Sequence, residues 1–227
     1  MARPKMNLQD VKNTVETDIL APGIPRDLDA MDLSDHEIED DDVLCAGRAQ
    51  GILFEDIRAD NVSVARFVLE GCTFQQTALH GLDVTDVCFQ NCSIMNVDFG
   101  HALIHRTVFK DCNLTGIDMR EATFRNVVFE NCIMRYSFFR SSDMDRTAFR
   151  SCRMENTDFQ QVKLAKVFFS DCNMTQTQMS GTALAGIDLS TCDISGIGVR
   201  IEDLTGAIVA PAQAAELCRL MGVVIKY

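Results

Sequence analysis

The stretch FKDCNLTGIDMREATFRNVVFENC, residues 109–132, repeats itself after twenty positions. Phe109 returns as Phe129, Cys112 as Cys132, and Asp111 is echoed by Asn131. A shorter period of five lies inside the longer one. Stepping by five from Phe54 to Val209 gives 32 positions, and all are apolar. At 47% hydrophobic content, chance produces such a run on the order of once in ten billion. Two residues before each of these sits a second series, Ile52 to Ala207, almost wholly small or β-branched, with Glu202 the misfit. The other three positions of each five are mostly polar, glycine or charged.

Neither a helix, with a period of 3.6, nor a strand, with a period of 2, explains this. Apolar residues at i and i−2 followed by a polar break describe a short inward-facing side and then a corner. Four sides of five residues close a coil of twenty, and each coil stacks on the last. Residues twenty apart then lie above one another at ~4.8 Å, the spacing of paired strands. The spacing predicts interior columns: an aromatic stack of Phe89, Phe109, Phe129, Phe149 and Phe169, and a thiol ladder of Cys72, Cys92, Cys112, Cys132, Cys152, Cys172 and Cys192. Met134, Met154 and Met174 form a third column. The expected product is a quasi-one-dimensional solenoid.

On these residues the chain resembles the pentapeptide-repeat protein family. The resemblance implies an all-β fold, a right-handed quadrilateral β-helix, here of about nine coils. Three segments are expected: a loosely held N-terminal leader at 1–25, with a little helical character near LQDVKNTVE, the β-helix at 26–209, and a C-terminal helix and strand at 210–227, cap and dimer contact.

Upstream, Leu28, Leu33, Ile38 and Val43 keep the five-residue step in a second register. A one-residue insertion between Val43 and Phe54, like a strand bulge, would join the two. The acidic run DLSDHEIEDDD in this segment reads as a solvated cap on the open end, or as an arm for a partner. Downstream the period fails after Val209, and PAQAAELCRLM reads as a capping helix with Pro211 in its first turn and Gly222 at its end. This tail is similar to those of the quinolone-resistance (Qnr-type) pentapeptide proteins and their mycobacterial fluoroquinolone-resistance relative. That likeness implies a homodimer contact through Leu217, Leu220, Met221, Val223, Val224 and Ile225.

Ten cysteines raise the question of metals and disulfides. Seven at a strict twenty are a structural column rather than short-spaced zinc pairs. Parallel stacked side chains keep Cβ atoms at the rung spacing, longer than a disulfide favours. Free thiols in a reducing compartment follow. Cys88 falls at an outward position, and Cys45 and Cys218 near the ends. His101 and His105 are four apart, but on a square coil they point away from different parts of a corner. No phosphate loop and no Ser–His–Asp set is visible, and a filled interior leaves no concave pocket. No enzyme activity, catalytic residue, cofactor or metal is expected. No signal peptide or membrane-length apolar run is present, so a soluble, cytoplasmic protein is expected.

The net charge of −12 argues against direct nucleic-acid binding through phosphates. It is uneven: residues 1–50 hold twelve acids and five bases, whereas from 101 to 170 eleven bases outnumber eight acids. Outward columns bring together Arg106, Arg125, Arg146, Lys163 and Lys166 on one side, and Asp98, Asp118 and Asp158 on a neighbouring side. These are candidate docking residues. Two functions stand open. One is a protein-interaction scaffold with an unknown target. The other, implied by the family resemblance, is a DNA-mimicking regulator that binds gyrase or topoisomerase IV and protects it from quinolones or toxins. A continuous acidic side would favour the mimic, and patchy mixed charge the scaffold.

Overall fold

A computed structural model describes residues 19–34 and 37–224. The chain is an all-β parallel solenoid closed by one short helix. The strands are β1 (Asp29–Ala30), β2 (Val43–Cys45), β3 (Gly47–Gln50), β4 (Leu53–Glu55), β5 (Arg58–Asp60), β6 (Ser63–Glu70), β7 (Thr73–Gln75), β8 (Ala78–His80), β9 (Asp83–Gln90), β10 (Ser93–Ile94), β11 (Leu103–Lys110), β12 (Thr123–Glu130), β13 (Asp143–Arg150) and β14 (Lys163–Ser170). Pairing in the long sheet follows the repeat: Phe109 lies opposite Phe89 and Phe129, and Phe149 opposite Phe169. Seven rungs run up this sheet, the β2–β3 pair and then β6, β9, β11, β12, β13 and β14. That is fewer than the nine coils expected, because the end segments pair only in part. At ~4.8 Å per rung the rod is about 34 Å long.

Each eight-residue strand covers two sides of the square. The other two sides carry β4, β5, β7, β8 and β10, and above them single bridges such as Asn113 with Ile133 and Asp118 with Phe138. The corners have a fixed chemistry. From Asp41 to Gln176, every non-glycine residue with positive φ stands at a position ending in 1 or 6. Asn and Asp are frequent there because they tolerate the left-handed region better than other side chains do. Leu114 to Ile117 shows how the corner closes: the Ile117 N–H donates to the Leu114 carbonyl at 3.1 Å, with Gly116 at φ 70°. Positive φ at the third residue is the type II turn pattern.

The interior is dry and columnar. Rings Phe89, Phe109, Phe129, Phe149 and Phe169 stack with centroids 4.7, 4.9, 4.9 and 5.1 Å apart. Phe139 and Phe159 form a second stack that meets the first edge-on; Phe129 and Phe139 lie 6.3 Å apart at 84°. The seven ladder cysteines are buried and free. The Cys112 thiol reaches the carbonyls of Phe89 (3.5 Å) and Lys110 (3.3 Å), and Cys132 repeats this with Phe109 and Glu130. Burial pushes the Cys132 thiol up, and the Cys92 thiol is raised to about 12, first through its contact with Cys112. A thiol-specific reagent is therefore expected to modify Cys45 and Cys218 within minutes on the native protein, and the ladder only on unfolding. Rapid labelling of more than three thiols without denaturant would contradict the buried ladder.

Three sequence expectations are corrected. Val43 does not face inward; it is 69% exposed, and Leu44 packs on the core opposite Val64. The main register thus extends upstream through Ala49 to Leu44, and the extra residue lies between Ile38 and Leu44, at the turn where the Asp42 N–H donates to Glu39. The leader is not loose throughout: Ile19 is buried, and Leu20 and Gly23 are hydrogen-bonded to the coils. Its earlier part, including LQDVKNTVE, lies outside the described residues. Cys88 does point outward, yet it is fully buried beneath that leader, in a cluster with Ile19, Val68, Val108, Val128 and Ala148.

The misfit Glu202 also has an explanation. Ile201–Leu204 form a 3-10 turn that leaves the square path. Asp203 folds back there, accepting two hydrogen bonds from Arg200 at 2.8 Å and one from the Gly181 N–H at 2.8 Å. The Arg200 guanidinium is the main cause holding the Asp203 carboxyl at about 2.

The helix α1 (Pro211–Cys218) closes the last coil. Gln213 does most of the capping: its amide donates to the carbonyls of Leu189 (2.9 Å) and Cys192 (2.6 Å), while its oxygen accepts the Ala210 N–H (2.7 Å). Open-edge carbonyls are thereby satisfied by a side chain rather than by another coil. Arg219–Met221 continue as a 3-10 turn ending at Gly222, φ 77°. The expected strand is not formed by Val223 and Val224.

Candidate functional site

The candidate site is the outer surface, and its residues are placed by the same five-residue step. Arg106, Arg146 and Lys166 occupy one column of left-handed corners. Arg106 is pinned by a two-pronged pair with Asp86 at 2.6 and 2.7 Å. Arg125 bonds the Asp143 carboxylate at 2.9 Å and the carbonyls of Phe124 and Asp143 at 2.8 and 3.0 Å. Arg146 pairs with Asp145. Lys163 and Lys166 are exposed on the last long rung. The predicted basic side is therefore a row of largely neutralised pairs.

The aspartate side is similar. Asp98 meets His80 at 3.1 Å and caps the Gly100 N–H at 2.9 Å. Asp118 pairs with Arg120, and Asp158 with Arg140 at 2.9 Å. Asp158 also accepts the Gln160 N–H at 2.9 Å. The column reads Arg58, Ala78, Asp98, Asp118, Phe138, Asp158, so it is neither continuous nor unpaired. His101 lies 3.6 Å from Glu121, while His105 contacts Arg106, and its pKa is lowered by burial and by that guanidinium.

Two residues absent from the predicted site stand out. Phe138 is 43% exposed and Tyr136 57% exposed, at the middle of the rod. Arg135 and Arg140 lie on the same rung and Arg120 on the rung below, ion-paired with Glu155, Asp158 and Asp118. Phe138 interrupts the aspartate column, a signal readable in the sequence. Tyr136 holds a left-handed corner, φ 57°, where a small polar residue is usual.

At the C-terminal end Leu217 packs against the core. Leu220, Met221, Val223 and Val224 are exposed, Val224 by 83%. Ile225 lies outside the described residues. At the other end an open cleft of about 980 Å³ runs between the N-terminal segment and the first coils, lined by Glu37, Glu55, Asp56 and Arg58 among others. Its lining includes the core residues Leu33 and Phe54, so the expectation of no concave pocket is corrected at this end of the rod. No helix among the described residues is long and apolar enough to cross a membrane.

A parallel solenoid with a five-residue side, an inward i/i−2 pair and a left-handed corner defines a class of repeat protein. Sequence models match it directly: the pentapeptide repeat region over residues 82–151, and pentapeptide repeats in eight copies over 152–190. The chain belongs to the pentapeptide-repeat family. Among solved structures it is similar to a trypsin-treated variant of QnrB1, a plasmid-mediated fluoroquinolone resistance protein, at 15% identity, covering 79% of this chain and all of that one, TM-score 0.42. It is also similar to HetL, a pentapeptide repeat protein involved in heterocyst differentiation regulation from the cyanobacterium Nostoc, at 14% identity, covering 75% and 90%, TM-score 0.31. No curated protein sequence matches the chain. The assignment rests on the sequence models and the unbroken register, not on these structures.

Proposed function

We propose that the protein is a non-enzymatic interaction scaffold that binds a protein partner along its outer face. The observation carrying this reading is the exposed Tyr136–Phe138 pair set among arginines in a field of paired, mixed-sign charge. Exposed aromatics and arginine are the residue types that dominate binding energy at protein interfaces. A duplex mimic would instead present acids along its length, and here each aspartate of the column has a basic or backbone partner. In this reading Asp98, Asp118 and Asp158 share the column of Phe138, and Arg106, Arg125, Arg146, Lys163 and Lys166 lie on the neighbouring side. Neither nucleic acid nor membrane is the partner in this reading, and the protein works in the cytoplasm.

The exposed tail of Leu220, Met221, Val223 and Val224 supports a homodimer built on the C-terminal end. A second reading, regulation or protection of gyrase or topoisomerase IV, is favoured by one observation, the concentration of acid in the first fifth of the chain.

The test is quantitative affinity capture with the wild type and with the double variant Phe138→Glu, Tyr136→Ala. At least one partner is expected to fall by tenfold or more, with no change in thermal unfolding beyond about 0.5 kcal/mol. An identical partner set from the two proteins would contradict the assignment of this face.

A further inference from the structure

The outer face of the long sheet carries a column that the scaffold reading does not use. Val68, Cys88, Val108, Val128 and Ala148 stand one above another at a position that faces away from the core. All five are buried, and what covers them among the described residues is the chain's own N-terminal segment, with Ile19, Ile24 and Leu28 packed on the column. The segment crosses the rungs instead of joining the ladder. Leu20 donates its N–H to the Asn126 side chain at 3.1 Å, and Gly23 to Asp86 at 2.7 Å, two rungs lower. By Asp29 the chain has reached the first rung, beside Gly47.

The hold on this segment is slight compared with that on a coil. Pro22 and Pro25 have no N–H to offer and fix an extended backbone, so the segment forms neither helix nor strand there. Three apolar side chains and two hydrogen bonds to corner side chains do the anchoring, whereas each long strand except β14 at the edge is bonded along its length to neighbours on both sides. Segments with few contacts open locally at far lower free energy than the whole fold. The column also continues past the strap's described end, where Phe168 is 37% exposed.

We propose that residues 19–28 are a displaceable strap, and that the apolar column beneath is a binding track which the same segment of a second copy occupies when the strap opens. A second copy is the occupant that the contacts favour. The spacing of Ile19, Ile24 and Leu28 already fits the column, and Asn126 and Asp86 already present acceptors to a main chain running across them. Exchange between copies reproduces every contact without inventing one, which is why swapping of identical elements is a low-cost route to dimers. The track is separate from the Tyr136–Phe138 face and from the C-terminal tail, so its fate does not depend on either.

Cys88 reports on the strap. In the full-length protein with Cys45→Ser and Cys218→Ser, it is the one thiol outside the seven-membered ladder. Burial raises it to about 12 while the strap is closed, so it reacts only when uncovered. With Ellman's reagent, Cys88 is expected to react about 100-fold faster than the ladder thiols. Ile24→Asp is expected to speed it at least a further tenfold, and the unreactive ladder in the same sample certifies an intact fold. A synthetic peptide of residues 17–30 is expected to slow labelling of the Ile24→Asp variant at least fivefold. Cys88 reacting no faster than the ladder would overturn the strap as a movable element. A peptide that leaves the Ile24→Asp rate unchanged at millimolar concentration would overturn exchange between copies.

Discussion

Replacing Phe129 by Ala is expected to lower stability by about 3–5 kcal/mol, the range for deleting a fully buried aromatic side chain. Phe129 has no exposed surface, and its ring stacks on Phe109 and Phe149 while meeting Phe139 edge-on. Both stacks lose a member's contacts at once, and the rungs above and below hold the cavity open. In a solenoid each coil is stabilised by its neighbours alone, so the damage spreads along the rod rather than being absorbed by a global core. Urea unfolding followed by far-UV circular dichroism measures it. Arg125→Ala is the control. From sequence alone it reads as a free surface residue; the structure gives it one ion pair and two carbonyls, which raises its expected cost to about 1 kcal/mol. Equal shifts in the two midpoints would show that the inward and outward positions are wrongly assigned.

The second large effect concerns Val127. It sits at the i−2 position with no exposed surface, directly between Thr107 and Thr147 in the rungs on either side. Val127→Asp places a carboxylate in the fully buried apolar core, and a loss of roughly 4 kcal/mol or more at neutral pH follows. The sign of its pH dependence is definite. Burial raises the folded-state pKa of the new carboxyl above its unfolded value of about 3.9, so the unfolded chain releases its proton first. Stability therefore falls as pH rises from 3.9 toward the raised value, and the variant is least damaged in acid. Val127→Thr is expected to cost less than about 1.5 kcal/mol, since the hydroxyl of Thr107 already finds the His105 carbonyl at 3.1 Å from the equivalent place. Thermal melts of both variants at pH 4 and pH 7 separate charge burial from shape.

The interior of this protein was legible in its sequence because a strict period says which side chains must face one another. Phe109 over Phe129 and Cys112 over Cys132 follow from counting. The period says nothing about what lies against the outside of the coil. Val68, Cys88, Val108, Val128 and Ala148 are apolar at an outward step, and that anomaly was the available sign of the strap. Polar partners were hidden for another reason. Asp118 finds Arg120 two residues on, but Arg135 finds Glu155 a full coil away, and Arg125 finds a carbonyl, choices decided by rotamer and corner geometry rather than by composition. The upstream register is misleading at Val43 because Leu28, Leu33 and Ile38 keep an apolar five-residue step up to it, while the inward series runs on through Ala49 to Leu44.

Charge decides the functional reading, and one titration tests it most directly. Purified protein is added to a DNA gyrase supercoiling assay, and to a topoisomerase IV relaxation assay, with and without a fluoroquinolone. A scaffold whose acidic column is interrupted by Phe138 and paired with His80, Arg120 and Arg140 is expected to leave both enzymes and their drug sensitivity unchanged up to tens of micromolar, on the order of a weak non-specific contact. Inhibition of supercoiling, or protection from the drug, at about one micromolar or below would contradict it and establish the duplex-mimic reading in its place.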